Sequence, residues 1–160
     1  MYSLRVDSSH LNFSAAHFIT FAGKCERLHG HNYAVDVYLE GALTGDGYVF
    51  DFVELKKIVK ALCDNLDHKF LLPLGNEHFQ VARSGDEVEI RVQGRRYVFP
   101  EQDVFDLPIA NITAECLAEY LARELLGAIG EHGNLTVIQF GVEEAPGQAA
   151  SYRIETGHSE

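Results

Sequence analysis

The chain is short of cysteine, of positive charge and of long apolar runs. Its three cysteines, Cys25, Cys63 and Cys116, form an odd and widely spaced set. Such a set does not build a disulfide framework and fits a reducing compartment. Lysine and arginine number 13 against 24 aspartates and glutamates, for a formal net charge of -11. Nonspecific nucleic-acid binding needs clustered cations to neutralise phosphates, so no nucleic-acid partner is expected. No stretch approaches the length of a membrane span, and Met1 to Asp7 holds no basic segment leading into an apolar run. The expectation is a cytoplasmic protein with no membrane partner. Repeats and low-complexity segments are also missing, and 160 residues of which 46% are hydrophobic suit a single domain, residues 1–160, with a proper core.

What the chain does have is a cluster of histidines near its front. His17 is followed by His29-Gly30-His31, with Cys25 four residues before the pair. Two histidines at i and i+2 project from the same side of an extended segment, so both imidazoles can reach one ion. A third histidine on a neighbouring strand completes a three-nitrogen set, the arrangement in which zinc keeps its fourth position open for water or substrate. Gly30 removes a side chain where a ligand can approach. His10, His78, His132 and His158 are read as ordinary structural histidines.

The segments Leu4 to Phe13 and Tyr33 to Leu39 alternate polar with apolar residues and predict two strands of a half-buried antiparallel sheet. His17 then falls just past the first strand and His31 at the entrance to the second, with a loop over 18–28. Asp51 can cap a helix in which Phe52, Leu55, Ile58, Val59 and Leu62 recur at helical spacing, ending near Asn65. A second helix is predicted from Thr113 or Ala114 to about Ile129. Leu135 to Val142 and Ala150 to Ile154 predict a final strand pair across Ala145-Pro-Gly-Gln148. Residues 76–108 read as a hairpin-like excursion turning at Gln93-Gly94. Cys63 and Cys116 fall on the helices and are expected in the core, whereas Cys25 lies among polar residues. The fold class predicted is α+β, an antiparallel sheet with two helices on one face.

Two acidic pairs add chemistry. An aspartate that orients a histidine fixes its tautomer and stabilises its protonated form, which gives Asp67-His68 either a proton-exchange role or a simple capping role. Glu143 and Glu144 close an apolar strand and point to opposite sides, so one is solvent-facing while the other can enter a pocket and accept paired hydrogen bonds. Lys24, Arg27 and Lys69 supply local positive charge, suited either to an anionic substrate or to a solvated loop.

Taken together the motifs resemble the family of 6-pyruvoyl-tetrahydropterin synthase and 6-carboxytetrahydropterin synthase. The matching pieces are Phe13-Ser-Ala-Ala-His17, Cys25-Glu-Arg-Leu-His29-Gly-His31-Asn32, Asp51-Phe52-x-Glu54-Leu55-Lys56, Leu66-Asp67-His68, Asn111-Ile-Thr113-Ala-Glu115, and Glu144 with Tyr152. The resemblance implies a tunnelling fold, in which subunit sheets join into a barrel-like trimer and two trimers stack into a hexamer. It also implies a small pterin triphosphate substrate, 7,8-dihydroneopterin triphosphate. Carried over, His17, His29 and His31 hold Zn2+, Cys25 is the proton-transferring thiol, and Asp67 with His68 completes a relay. Glu144 anchors the pterin ring, and Thr113 and Glu115 line its pocket. Lys24, Arg27 and a cationic His68 are expected to favour the Cys25 thiolate, and the basic residues to host the triphosphate. The family assigns residues 76–108 no role.

The three-residue gap between Cys25 and His29 resembles the 6-carboxytetrahydropterin synthases of the queuosine and deazapurine route. These are lyases that release acetaldehyde and triphosphate. Glu26 leaves two related reactions open, the pyruvoyl-forming one and cleavage of the dihydroneopterin side chain towards folate, for which some relatives carry a glutamate at or near the thiol position. A reading of another class is a non-catalytic zinc-stabilised pterin-binding module.

Overall fold

The computed structural model describes residues 1–130 and 132–157; His158 lies outside the described residues. Strand β1 (Tyr2–His17) leads through two short strands, β2 (Thr20–Phe21) and β3 (Lys24–Cys25), into β4 (His29–Gly41). Helix α1 (Phe52–Leu66) and strand β5 (Lys69–Pro73) follow. Then come β6 (Gln80–Ser84), β7 (Glu87–Val92), β8 (Arg95–Pro100), a single 3-10 turn at Glu101–Asp103 and β9 (Val104–Leu107). Helix α2 (Ala114–Ile129), β10 (Leu135–Ala145) and β11 (Gln148–Glu155) complete the chain. The main sheet has six strands in the order β11-β10-β4-β1-β5-β9. This is the expected α+β class, with one difference. The sheet is mixed, because β5 runs parallel to β1 and β9 runs parallel to β5.

The reason lies in burial. Phe70, Leu71 and Leu72 of β5 are all buried, so β5 shows the continuous apolar run of a strand covered on both sides rather than an alternation. Leu71 packs into the main core, whereas Phe70 and Leu72 join a second cluster with Phe18, Val88, Ile90 and Val92. One side of the sheet is covered by α1 and α2. The other side, at the β5 end, is covered by an antiparallel sheet of β6, β7 and β8. The excursion at 76–108 is therefore three strands rather than a hairpin, and its last part, β9, returns to the main sheet. Gln93 and Gly94 make the β7–β8 turn at positive φ of 48° and 74°, the backbone a two-residue hairpin loop of the primed type requires.

Both helices start where their caps predict. The Asp51 carboxylate accepts hydrogen bonds from the backbone N–H groups of Val53 and Glu54 at 2.6 and 3.0 Å, and the Thr113 hydroxyl accepts one from Cys116 at 3.2 Å. Leu55, Val59, Cys63 and Leu66 of α1 and Leu117, Leu121 and Leu125 of α2 are buried against the sheet. Cys63 is a core thiol whose burial pushes its pKa up to about 12. Cys116 differs from expectation: it is only half-buried and borders a surface cleft with Tyr120 and Arg123. All three cysteines are free thiols.

Candidate metal centre and its surroundings

The core stripe of β4 runs Tyr33, Val35, Val37 and Leu39, all buried. The two-residue period of a strand continues it backward to His31 and His29. On β1 the same period runs from Leu11 and Phe13 through Ala15 to His17. The antiparallel register sets His17 opposite His29 and Ala15 opposite His31. All three histidines thus lie within the strands, not beyond them, at the open end of the hydrophobic core. Gly30 has a different purpose from the one expected: a Cβ there would stand 2.8 Å from the Ala15 carbonyl oxygen, so glycine is required by the close approach of β1 rather than by a ligand.

The histidine nitrogens are preset for a cation. The Nδ1–H of His17 donates to the Ile112 carbonyl at 2.9 Å, and that of His29 donates to the Arg27 carbonyl at 2.8 Å. A carbonyl can only accept, so both Nε2 atoms carry lone pairs. These face each other 3.1 Å apart, a repulsive arrangement until a cation lies between them. Among the described residues the buried Nε2 of His31 has no hydrogen-bond partner, although the Glu144 carboxylate stands 3.3 Å away outside hydrogen-bonding geometry. Ligand atoms of the three residues lie within 4.8 Å of one another. The residues therefore fit a metal ion, and imidazole donors suit zinc, copper, iron or nickel. Backbone carbonyls holding the outer nitrogens are the usual supports of such ligands.

His17 is fully buried and its pKa falls from 6.5 to about 4. Burial is the main cause and the neighbouring His29 the next; the Ile112 bond opposes the shift and His31 adds to it. Between these values the unfolded chain takes up a proton that the folded chain does not. The metal-free protein should therefore lose stability as the pH falls from about 6.5 to about 4, by at most about 3.5 kcal/mol at about 1.4 kcal/mol per unit. Urea unfolding of the metal-free protein across this window checks it; a flat midpoint contradicts it.

Around the histidines the predicted site residues divide into groups. Glu144, Thr113 and Glu115 line one cleft of about 310 Å³, together with Ile19, Gln148 and Ala150. Of the acidic pair it is Glu144 that enters a pocket. Asp67 and His68 do touch, with His68 Nδ1 and an Asp67 oxygen 2.8 Å apart. The other Asp67 oxygen accepts from the Ser14 backbone at 2.8 Å, and this bond, followed by His68, lowers the Asp67 pKa. The dyad caps the end of α1, and His68 takes a positive φ of 57°. Its cleft, of about 560 Å³, is lined mainly by Ser14, Ala16, Gly30 and Asn32, whose strand parity is opposite to that of His17, His29 and His31, although Ala15 and His31 also border it. Within one chain the dyad therefore opens on the other side of the β1–β4 ladder from the histidine nitrogens. His68 is largely exposed there, at 83% of its side chain.

Cys25 sits at the end of the small β2–β3 hairpin, half-buried against the second apolar cluster rather than among polar groups. Burial raises its pKa, the Arg95 guanidinium lowers it and the Glu26 carboxylate raises it. The stabilising cation is therefore Arg95, from β8, in place of the expected Lys24, Arg27 and His68. Lys24 and Arg27 are exposed, and Arg27 meets the metal group through its backbone carbonyl. The Glu26 carboxylate stands 3.8 Å from His29 Nε2.

Residues that sequence reasoning missed hold this hairpin in place. Asn111 donates from its side-chain amide to the Thr20 carbonyl at 2.8 Å and accepts from the Thr20 N–H at 3.3 Å. Asn76 donates to the Thr20 hydroxyl at 2.7 Å. Asn111 stood inside a recognised motif, which is a signal of a kind; Asn76 and Arg95 carried none.

A three-histidine group at the end of an α+β core that could hold a metal ion, with a carboxylate-lined cleft beside it, is an arrangement suited to an enzyme site. Comparison with known proteins gives the family. The family model described as 6-pyruvoyl tetrahydropterin synthase matches residues 8–155. A Methanocaldococcus jannaschii protein described as a 6-carboxy-5,6,7,8-tetrahydropterin synthase is 40% identical over 146 residues, covering 89% of this chain and 90% of that one. The dihydroneopterin monophosphate aldolase of Pyrococcus furiosus is 42% identical over 60 residues, 38% of this chain and 51% of its own. Among solved structures, a Plasmodium vivax 6-pyruvoyltetrahydropterin synthase in which a catalytic glutamate is replaced by alanine superposes with a TM-score of 0.92 at 33% identity, covering 96% and 98% of the two chains. The chain belongs to the 6-pyruvoyl tetrahydropterin synthase family.

Proposed function

We propose that this protein is a lyase that converts 7,8-dihydroneopterin triphosphate to 6-carboxy-5,6,7,8-tetrahydropterin, releasing acetaldehyde and triphosphate, in a cytoplasmic deazapurine (queuosine) route. The observation that carries this reading is the 3.3 Å approach of Glu144 to His31. It sets a carboxylate able to hold an amino-heterocycle directly beside the group able to hold the substrate's side chain. Similarity to proteins described as 6-carboxytetrahydropterin synthases points the same way.

In this reading His17, His29 and His31 hold Zn2+, which when bound supplies Lewis-acid polarisation of the side-chain oxygens. Glu144 accepts hydrogen bonds from the pterin ring, and Thr113 and Glu115 line the ring's cleft. Cys25 Sγ takes a proton from a side-chain carbon, and Asp67 keeps His68 oriented and ready to exchange protons. One chain opens its dyad mainly on the opposite side of the β1–β4 ladder from the histidine nitrogens, and in this reading a second copy supplies the dyad that serves the metal group. The outer edges of β11 and β9 in the six-stranded sheet, unpaired among the described residues, offer the means for copies to join, as in a barrel of three and a hexamer of two such rings. Lys24 and Arg27 are exposed and free to meet the triphosphate.

A second reading is favoured by Glu26. Its carboxylate, 3.8 Å from His29 Nε2, is a base at the metal group that does not depend on the thiol. Cleavage of the dihydroneopterin side chain is the reaction such a base fits, and relatives that include an aldolase and a synthase with a catalytic glutamate are consistent with it. Incubating the zinc-loaded protein with dihydroneopterin triphosphate and identifying the products by mass separates the readings. Carboxypterin with acetaldehyde supports the first, hydroxymethyl or pyruvoyl products replace it with the second or its relative, and unchanged substrate overturns both in favour of a non-catalytic binding module.

A further inference from the structure

The three-stranded sheet of β6, β7 and β8 ends against the Cys25 hairpin. One Arg95 guanidinium nitrogen donates to the Cys25 carbonyl at 2.5 Å and the other to the Glu26 carbonyl at 3.0 Å. The Gln93 side-chain amide donates to the Gly23 carbonyl at the other end of the hairpin. Arg95 is itself fixed, with its second nitrogen 3.3 Å from the Tyr97 hydroxyl, and Tyr97 stacks on Phe18 at 5.1 Å. Phe18 directly follows the metal-group residue His17. At the far end the sheet is tied to the main one by Arg83, which bonds Glu101 at 3.1 Å and both Asp106 oxygens at 2.6 Å, and by Phe70 stacked on Phe99 at 4.6 Å.

We propose that Arg95 is a positioning residue for the reaction: by gripping both carbonyls of Cys25-Glu26 in one planar fork, it fixes where the thiol and the neighbouring carboxylate stand relative to the histidine group. This gives the 76–108 excursion its purpose, since a surface hairpin of two-residue strands has no rigidity of its own. The planar guanidinium can span two carbonyls, whereas an ammonium is a point charge with no fixed fork. Arg95 and Glu26 are also the two charged groups that bear on the thiol, with opposite effects. The proposal rests on Cys25 or Glu26 acting in the reaction proposed above.

The test uses the full-length zinc-loaded protein with Arg95→Gln and Arg95→Lys. Turnover is followed alongside the iodoacetamide alkylation of Cys25, read by peptide mass across a pH series without substrate. In Arg95→Gln, kcat should fall at least about tenfold with KM within about twofold and zinc content unchanged, and the alkylation midpoint should move to higher pH. Arg95→Lys should return the midpoint towards wild type while kcat stays low, because it restores charge but not the fork; a thermal melt of each variant confirms folding. Unchanged kcat in Arg95→Gln overturns the proposal, and so does full recovery of kcat by Arg95→Lys. If the wild type itself shows no turnover, the proposed function fails instead. The alkylation rate at high pH, where the thiol is fully ionised, then decides alone, and a rate unchanged in both Arg95→Gln and Arg95→Lys overturns the grip on Cys25.

Discussion

His17→Ala is expected to remove the metal and the activity together. His17 is the hub of the group: its ring is fully buried, its Nδ1 is held by the Ile112 carbonyl, and its Nε2 stands 3.1 Å from that of His29. Ring centroids of His29 and His31 lie 4.7 and 5.0 Å from its own. Losing an outer partner of a ligand typically weakens metal binding by about 10–100-fold, and losing the ligand itself should exceed about 100-fold. Equilibrium dialysis against a zinc buffer, with turnover measured on the same samples, checks this. Wild-type zinc affinity in His17→Ala contradicts it. The imidazole deletion also leaves the Ile112 carbonyl and the Tyr33 hydroxyl, 3.2 Å from the same nitrogen, facing a void. A modest drop in urea midpoint accompanies the loss of metal, and His17→Gln separates the two effects by filling part of the space.

Cys25→Ala should keep its metal and lose its turnover. No histidine of the group depends on the Cys25 side chain, whose one hydrogen bond is a long 3.5 Å contact to its neighbour's carbonyl. Zinc affinity should therefore stay at the wild-type value. A positioned proton-transfer group contributes about 10²–10⁴-fold, and that is the expected fall in carboxypterin formation. Burial raises the thiol pKa, so the wild-type rate should rise with pH on its lower limb as the thiolate forms, and this limb should vanish in the variant. Full turnover by Cys25→Ala removes the thiol from the mechanism. Glu26→Gln is the companion: side-chain cleavage products that persist in Cys25→Ala but disappear in Glu26→Gln would assign the carboxylate its own reaction.

The legible parts of the fold were those written in local pattern. The α1 and α2 boundaries follow from Asp51, Thr113 and a helical apolar stripe, β1 and β4 follow from alternation, and β10 and β11 follow from a run of β-formers and the turn after it. Strand β5 was not legible, because Phe70-Leu71-Leu72 is buried on both sides and shows no period. The excursion showed the β7–β8 turn through Gln93-Gly94, but β6 is exposed along its whole length and left no apolar mark. At the site, the histidines were legible from spacing. The partners of Cys25 were not, since Arg95 lies 70 residues away in sequence and acts on backbone carbonyls, for which no residue type at position 25 or 26 leaves a signature.

By itself, then, the sequence determined the family and the candidate site residues: three histidines at strand spacing, a thiol four residues upstream, an Asp-His pair and a strand-end carboxylate. Those depend on residue type and short-range geometry. The tertiary structure alone decided which groups meet. The β1–β4 register brings His17 against His29, β10 carries Glu144 to His31, and the packed excursion delivers Arg95 to Cys25. It also set the Asp67–His68 dyad on the opposite side of the ladder, because strand parity at Ser14 and Asn32 is opposite to that at His17 and His31. Side-chain alternation is a local rule, but which strands lie next to one another is fixed only when the whole core is buried.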